Sequence, residues 1–254
     1  CEKAARPARI LRALKFLKFY GNFSIIYIES ERERKKGEAS EMTECYPCFR
    51  EDVTADINAL GLQDEVVYCE NSSYEKVVYD EDTDVTVWSG ASRLVFPYHN
   101  LVCKLPVTKI ARWEENEDGE WGEEEYRCDF DDHCAVELEN YELSIKEGLD
   151  EAFAPCEFYD TVNGIPVYVM ERAEKMKKGI TPSKATSEAC EKDELDYSWD
   201  PSLWEVFVQY YGIEFCKKLT TFLQDNYIND IRFENCGMIN GRPVLIDYCG
   251  YWGD

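Results

Sequence analysis

Asn229-Asp230-Ile231-Arg232-Phe233-Glu234-Asn235-Cys236-Gly237, followed after a short turn by Arg242-Pro243-Val244-Leu245-Ile246-Asp247-Tyr248-Cys249-Gly250, is the stretch that decides how this chain is read. Asp230 and Asn235 stand five apart, Asn240-Gly241 is a tight-turn pair between two short apolar runs, and Val244, Leu245 and Ile246 form a strand pattern that delivers Asp247 at its end. An Asp-x-x-x-x-Asn spacing alone is common by chance. Its weight comes from its setting: a helical pattern over 204–226, with Phe207, Tyr211, Phe215, Leu219 and Phe222 near one face, leads into Ile228 just before it.

Working outward, the whole chain of 254 residues is 44% apolar and 14% aromatic, enough to bury a core and too rich for a disordered tail. No apolar run approaches the ~18 residues that cross a bilayer, so no membrane span is expected. A formal charge of −24 argues against nucleic acid as main partner, since phosphate backbones attract Lys and Arg, and it suits a basic or neutral partner. The charge is uneven. Residues 1–36 hold ten Lys/Arg against four Glu, leaving −30 for the rest. Twelve cysteines without a signal-peptide pattern read as reduced thiols in a cytoplasm.

Upstream, Ile10, Leu11, Leu14, Leu17 and Phe19 recur at helical spacing among Arg9, Arg12, Lys15 and Lys18, a basic amphipathic helix over 6–19 that reads best as packed on the chain's own acidic body. Residues 29–40 are charged and solvated. A short helix is expected over 52–62, strands over 66–69, 77–79 and 85–88, a hairpin joining 94–96 to 101–104, and an acidic insertion over 113–125. A helix over 134–146, a buried strand over 167–170 after the Asn163-Gly164 turn, and a polar loop over 175–201 complete the pattern. The fold class is α+β. Cys45 and Cys48 have CxxC spacing, but the second ligand set a zinc site wants is confined to Cys128, His133 and Cys134, a weak partner.

The quoted stretch resembles the catalytic and metal-binding loops of the protein kinase and aminoglycoside phosphotransferase superfamily. There a carboxylate orients the attacking hydroxyl and two oxygen ligands hold Mg²⁺ against the phosphates. The resemblance implies Asp230 as the hydroxyl-orienting base, Arg232 as a cation near the transferred phosphate, and Asn235 and Asp247 as metal ligands. Further matches lie upstream in the expected order. Ser89, Gly90 and Ser92 belong to a segment that looks like a shortened phosphate-covering loop, although it holds only one glycine. Lys104, after Leu101-Val102-Cys103, looks like the lysine that pairs with nucleotide phosphates. Its carboxylate partner is expected on the 134–146 helix, where Glu137, Glu139 and Glu142 stand; Glu142 is chosen for its one-turn spacing from Leu138 and Ile145, with Glu139 next. Met170, Glu171 and Ala173 resemble the strand and hinge that present backbone to adenine.

The resemblance implies a kinase-like bilobal core: an N-terminal extension of unknown role over 1–87, an antiparallel-sheet N-lobe and hinge over 88–173, and a truncated helical C-lobe over 174–254. Departures accompany it. The usual His-Arg-Asp triplet is Ile228-Asn229-Asp230, Asp-Phe-Gly is Asp247-Tyr248-Cys249, and no activation segment or substrate-docking lobe follows. In this minimal form the chain resembles the kinase-like proteins of tailed phages, which would place it in a host cytoplasm. The leading expectation is therefore an ATP- and Mg²⁺-dependent phosphotransferase acting on a hydroxyl. The alternative is an acidic pseudokinase that engages a basic host protein. Cys103, Cys236 and Cys249 each adjoin a proposed site residue, so peroxide inactivation is a further expectation, set against their serving as small buried fillers.

Overall fold

The computed structural model describes residues 48–69, 76–79, 85–90, 92–115, 119–176 and 199–250, all within a compact unit that spans Cys45–Asp254. The basic helix expected at 6–19, the charged run at 29–40, Cys45 of the CxxC pair and most of the polar loop at 175–201 lie outside these residues. Helix α1 (Phe49–Ala59) opens the described chain, followed by strands β1 (Val67–Cys69), β2 (Lys76–Tyr79), β3 (Thr86–Ser89), β4 (Arg93–Tyr98), β5 (Leu101–Pro106), β6 (Lys109–Glu115) and β7 (Trp121–Arg127). Helix α2 (His133–Glu147) then leads to β8 (Cys156–Val162), β9 (Ile165–Glu171) and the short β10 (Glu174–Lys175). Helices α3 (Pro201–Tyr211) and α4 (Ile213–Asp225) precede the hairpin of β11 (Cys236–Ile239) and β12 (Arg242–Leu245).

The principal sheet is antiparallel throughout, in the order β2-β3-β4-β5-β9-β8. Every residue of β5 is buried, because β4 and β9 flank it and α2 packs on it. This makes Leu101-Val102-Cys103-Lys104-Leu105-Pro106 a continuous apolar run broken by one lysine. Beyond the sheet edge, α1 sets Phe49 edge-on to Tyr98 and Tyr159, with ring centroids 5.4 and 4.9 Å apart. Tyr98 Oη donates to Asp56 Oδ2 at 2.6 Å.

Two differences from the sequence expectations concern boundaries. Strands β2 and β3 belong to the same sheet as β4 and β5, so the division expected after residue 87 falls inside β3, and the compact unit begins at Cys45. The helix expected over 204–226 is two helices. Gly212, at φ 83° and ψ 158°, occupies backbone space that side-chain-bearing residues avoid, and it ends α3 where α4 begins. The start of α3 is set by Asp200, whose Oδ1 accepts from Ser202 N at 2.8 Å and Leu203 N at 3.2 Å, with Pro201 in the first turn.

The acidic insertion is a hairpin arm: β6 pairs in parallel with β1 and antiparallel with β7. The main hydrophobic cluster runs without a break from Val102, Leu138 and Met170 on the sheet side to Trp204, Phe222 and Tyr248 on the helical side. The sheet and the helical part therefore share one core.

Candidate functional site

The Asp230 loop is built from its own backbone. Ile228 and Ile231 are buried and anchor it on the core. One turn of 3₁₀ helix, Phe233–Asn235, then brings Asn235 back over Asp230. The Asn235 Nδ2 amide donates to the Asp230 main-chain oxygen at 2.9 Å and to Asp230 Oδ2 at 2.8 Å. Arg232 Nη2 lies 3.0 Å from the same Oδ2. Asp230 and Arg232 are half-exposed or more, so this ion pair orients more than it stabilises.

Asp247 is fixed from both sides. Before it, Ile246 N donates to Asn235 O at 2.9 Å and Ala154 N to Leu245 O at 2.9 Å. After it, Asn140 Nδ2 donates to Tyr248 O at 2.6 Å and Tyr248 Oη to Ala154 O at 2.6 Å. The strand end that the sequence assigned to Asp247 is thus tied to the Asn235 loop by main-chain bonding.

Opposite stands Lys104, buried on β5 between Val95 of β4 and Tyr168 of β9. Its Nζ donates to Glu137 Oε2 at 2.7 Å and to the Ile246 carbonyl at 2.9 Å. The carboxylate paired with the lysine is therefore Glu137, not Glu142. Five residues separate the two, about 140° around a helix of 3.6 residues per turn, so they cannot share a face. The choice of Glu142 rested on Leu138 and Ile145 as the inner stripe, but Ile145 is 52% exposed. Beside Cys134 and Leu138, the buried face of α2 carries a polar stripe: His133, Glu137, Asn140 and Ser144, spaced by four, three and four. That spacing was the signal available in the sequence. It passes unnoticed when only apolar residues are followed.

Arg93 is the residue that sequence reasoning missed. At the start of β4, its side chain is 9% exposed and its guanidinium forks between two carboxylates. Nη1 donates to Glu137 Oε1 at 2.8 Å and Nη2 to Asp247 Oδ1 at 2.7 Å, with Cys249 Sγ 3.5 Å from Nη2. Two cations and two carboxylates thus form one cluster, in which Glu137, with no exposed surface, also accepts from Tyr248 N at 3.3 Å. Burial opposes ionisation of Asp247, but the Arg93 and Lys104 charges outweigh it and hold this carboxyl well below the usual carboxylate range.

The nucleotide-side expectations are distributed unevenly. Ser89 pairs in the sheet with Leu94 and Lys76, and Gly90 N donates to Arg93 O at 2.9 Å, which closes the β3–β4 turn. Ser92 is turned inward, its Oγ 3.0 Å from His133 Nδ1. Burial and the Arg93 charge push the His133 imidazole down to about 4. Met170 is 1% exposed and lies in register with Val102 and Cys156, a core position. Glu171 pairs with Leu101, and beyond it Arg172 N donates to Asn100 O at 2.7 Å. Ala173 packs on the backbone of Gly237, so close that a Cβ on Gly237 would stand 2.5 Å from the Ala173 Cβ. The segment after β9 and the β11–β12 hairpin are thereby in direct contact.

The donor set tests the fit of magnesium. Asn235 and Asp247 supply the oxygen chemistry a hard cation takes, but Asp247 Oδ1 is already bonded to Arg93, which leaves an ion only Oδ2 of a carboxylate whose charge is neutralised. Among the described residues, no group of three or more His, Cys, Asp or Glu side chains is placed to hold a metal. Cys103, Cys236 and Cys249 are buried, and burial raises all three thiols, so they lack the exposed thiolate that peroxide attacks. No helix among the described residues is long and apolar enough to cross a membrane. No protein family, curated protein or solved structure matches the chain.

Proposed function

We propose that this is a kinase-like phosphotransferase site, which binds ATP and transfers a phosphoryl group to a hydroxyl. One observation carries the reading. A buried lysine held by a helix glutamate reaches the strand end that bears Asp247, and that strand end is bonded to an Asn235 whose amide fixes Asp230. A hairpin with surface carboxylates has no reason to bury Lys104 and Glu137 together, in view of what desolvating two charges costs. In this reading Lys104 binds phosphate oxygens, since Glu137 holds its ammonium at a fixed point. Asp230 accepts the hydroxyl proton of the acceptor, oriented for this by the Asn235 amide. Arg232 steers the phosphate from the exposed side of the loop. Placing the acceptor oxygen beside a fixed base supplies orientation, the main contribution a protein can make to phosphoryl transfer.

A second reading is an acidic pseudokinase that engages a basic partner, and two observations favour it. Arg93 occupies Asp247. The β6–β7 arm sets Trp113 and Trp121, 65% and 66% exposed, among Glu115, Glu120, Glu123, Glu124 and Glu125.

Melting-temperature titration with ATP, with magnesium and again with EDTA, tests the first reading. Ligand at a hundred times its Kd stabilises by about 2.7 kcal/mol, so a rise is expected in wild type and not in Lys104→Ala. No rise in either medium sinks it. A rise without transfer of labelled γ-phosphate to any acceptor selects the second reading.

A further inference from the structure

The geometry points to Arg93 as the cation that stands in for a divalent metal: the site takes the polyphosphate of a nucleotide without magnesium. This rests on the nucleotide-binding reading and extends it.

A metal at such a site neutralises the carboxylate that would otherwise repel the phosphates, and it bridges protein to phosphate. In this protein the first task is already done. Arg93 Nη2 sits 2.7 Å from Asp247 Oδ1 and Nη1 2.8 Å from Glu137 Oε1, while Lys104 takes Glu137 Oε2 at 2.7 Å. The cluster holds two positive and two negative charges, so an approaching polyphosphate meets no unbalanced carboxylate. Through its main-chain oxygen, Arg93 also closes the Gly90 turn, the segment whose sequence suggested a phosphate loop.

A divalent ion seeking Asp247 must either displace Arg93 from Oδ1 or take Oδ2, on a carboxylate whose charge Arg93 already neutralises. Displacement strands Glu137, which has no exposed surface and would keep only Lys104 and the Tyr248 amide as donors. It also frees a guanidinium that is nine-tenths buried and held by two carboxylates at once, one at each Nη. An ion on Oδ2 shares its carboxylate with the guanidinium and gains less from it. Displacement weakens metal binding by about 100-fold or more, on the scale of breaking a buried ion pair.

The test is calorimetric titration of the folded chain with ATP, in EDTA and in excess Mg²⁺. The expected result is a Kd that differs by less than about threefold between the two media, the size of a minor electrostatic correction. An ATP affinity tighter with Mg²⁺ by about threefold or more overturns the inference and leaves the nucleotide-binding reading standing. Failure to bind in both media overturns both. Arg93→Gln localises the effect: it should lose metal-free binding tenfold or more and regain affinity when Mg²⁺ is added, because Asp247 is then open. Metal-free binding unchanged in Arg93→Gln also overturns the inference. Arg93→Lys, which keeps the charge but not the fork, is the companion should the glutamine variant fold poorly, and it should retain metal-free binding to within tenfold. The wild-type comparison decides the matter without either variant.

Discussion

Lys104 and Glu137 meet at 2.7 Å with neither side chain more than 7% exposed, and the glutamate is shared with Arg93. Removing the charge of Glu137 leaves two buried cations facing a single carboxylate. Glu137→Gln is therefore expected to cost about 3–5 kcal/mol of stability, the range for breaking a buried pair from one side. Glu142→Gln, on another face of α2, should cost less than about 1 kcal/mol. Urea denaturation of the two variants side by side checks the pairing. Equal losses would show that Glu137 does not lie on the inner face of α2.

Asn235 holds Asp230 through one amide group that serves both its main-chain and side-chain oxygens. Asn235→Ala should cost about 1–3 kcal/mol, the penalty for leaving acceptors partly unsatisfied. On the proposed phosphotransferase reading, phosphoryl transfer should fall by more than ATP affinity, because Asp230 loses its orientation while Lys104 is untouched. Asn235→Asp, which sets a second carboxylate against Asp230, should be worse than Ala on both counts.

His133 gives the fold an acid-sensitive limb. Its imidazole is lowered from 6.5 to about 4 by burial and by Arg93, against a raising influence of Asp247, Glu137 and Asp131. A group lowered in the folded state is protonated first in the unfolded chain. Stability is therefore complete above about pH 6.5 and falls with pH down to about 4, by as much as about 3 kcal/mol. Asp247, also lowered, adds its own loss only below about pH 4. Denaturation midpoints across this range should decline in wild type and stay nearly flat between pH 6.5 and 4 in His133→Asn.

Gly237 lies so close to the segment after β9 that a methyl group there would meet the Ala173 Cβ at 2.5 Å and the Glu174 carbonyl at 2.9 Å. Gly237→Ala should destabilise by about 1–3 kcal/mol through overpacking. Adding Ala173→Gly should recover part of this loss and not all of it, since the carbonyl is backbone and remains. A double-mutant cycle measures the coupling.

Much of the sheet was legible because its strands are apolar runs bounded by turn residues. Asn163-Gly164 and Asn240-Gly241 both adopt positive φ at both positions and close tight hairpins, as their sequence implied. The link from the Asp230 loop to Asp247 was legible for the same reason: a short hairpin lies between them. Harder to see was which polar residues are buried: the spacing along α2 hinted at one set, and nothing local marked Arg93. Arg93 heads a strand of mixed burial and looks like any exposed strand-end charge, while the inner stripe of α2 carries His133, Glu137, Asn140 and Ser144 where hydrophobic periodicity looks for leucine. Buried polar groups pair with partners far along the chain, and local pattern holds no record of those. The Gly212 break is a different case: the glycine was visible, but an amphipathic pattern continued on both sides of it.

The 154 positions that separate Arg93 from Asp247 also shape how the protein reaches its fold. A partly folded chain with the sheet and α2 in place, but the β11–β12 hairpin undocked, buries two cations against Glu137 alone. That charge is balanced only when Asp247 arrives with the hairpin. Closing so long a loop is slow. A chain in which that hairpin has not docked leaves Tyr248 and Leu245 outside the core they share with the sheet residues.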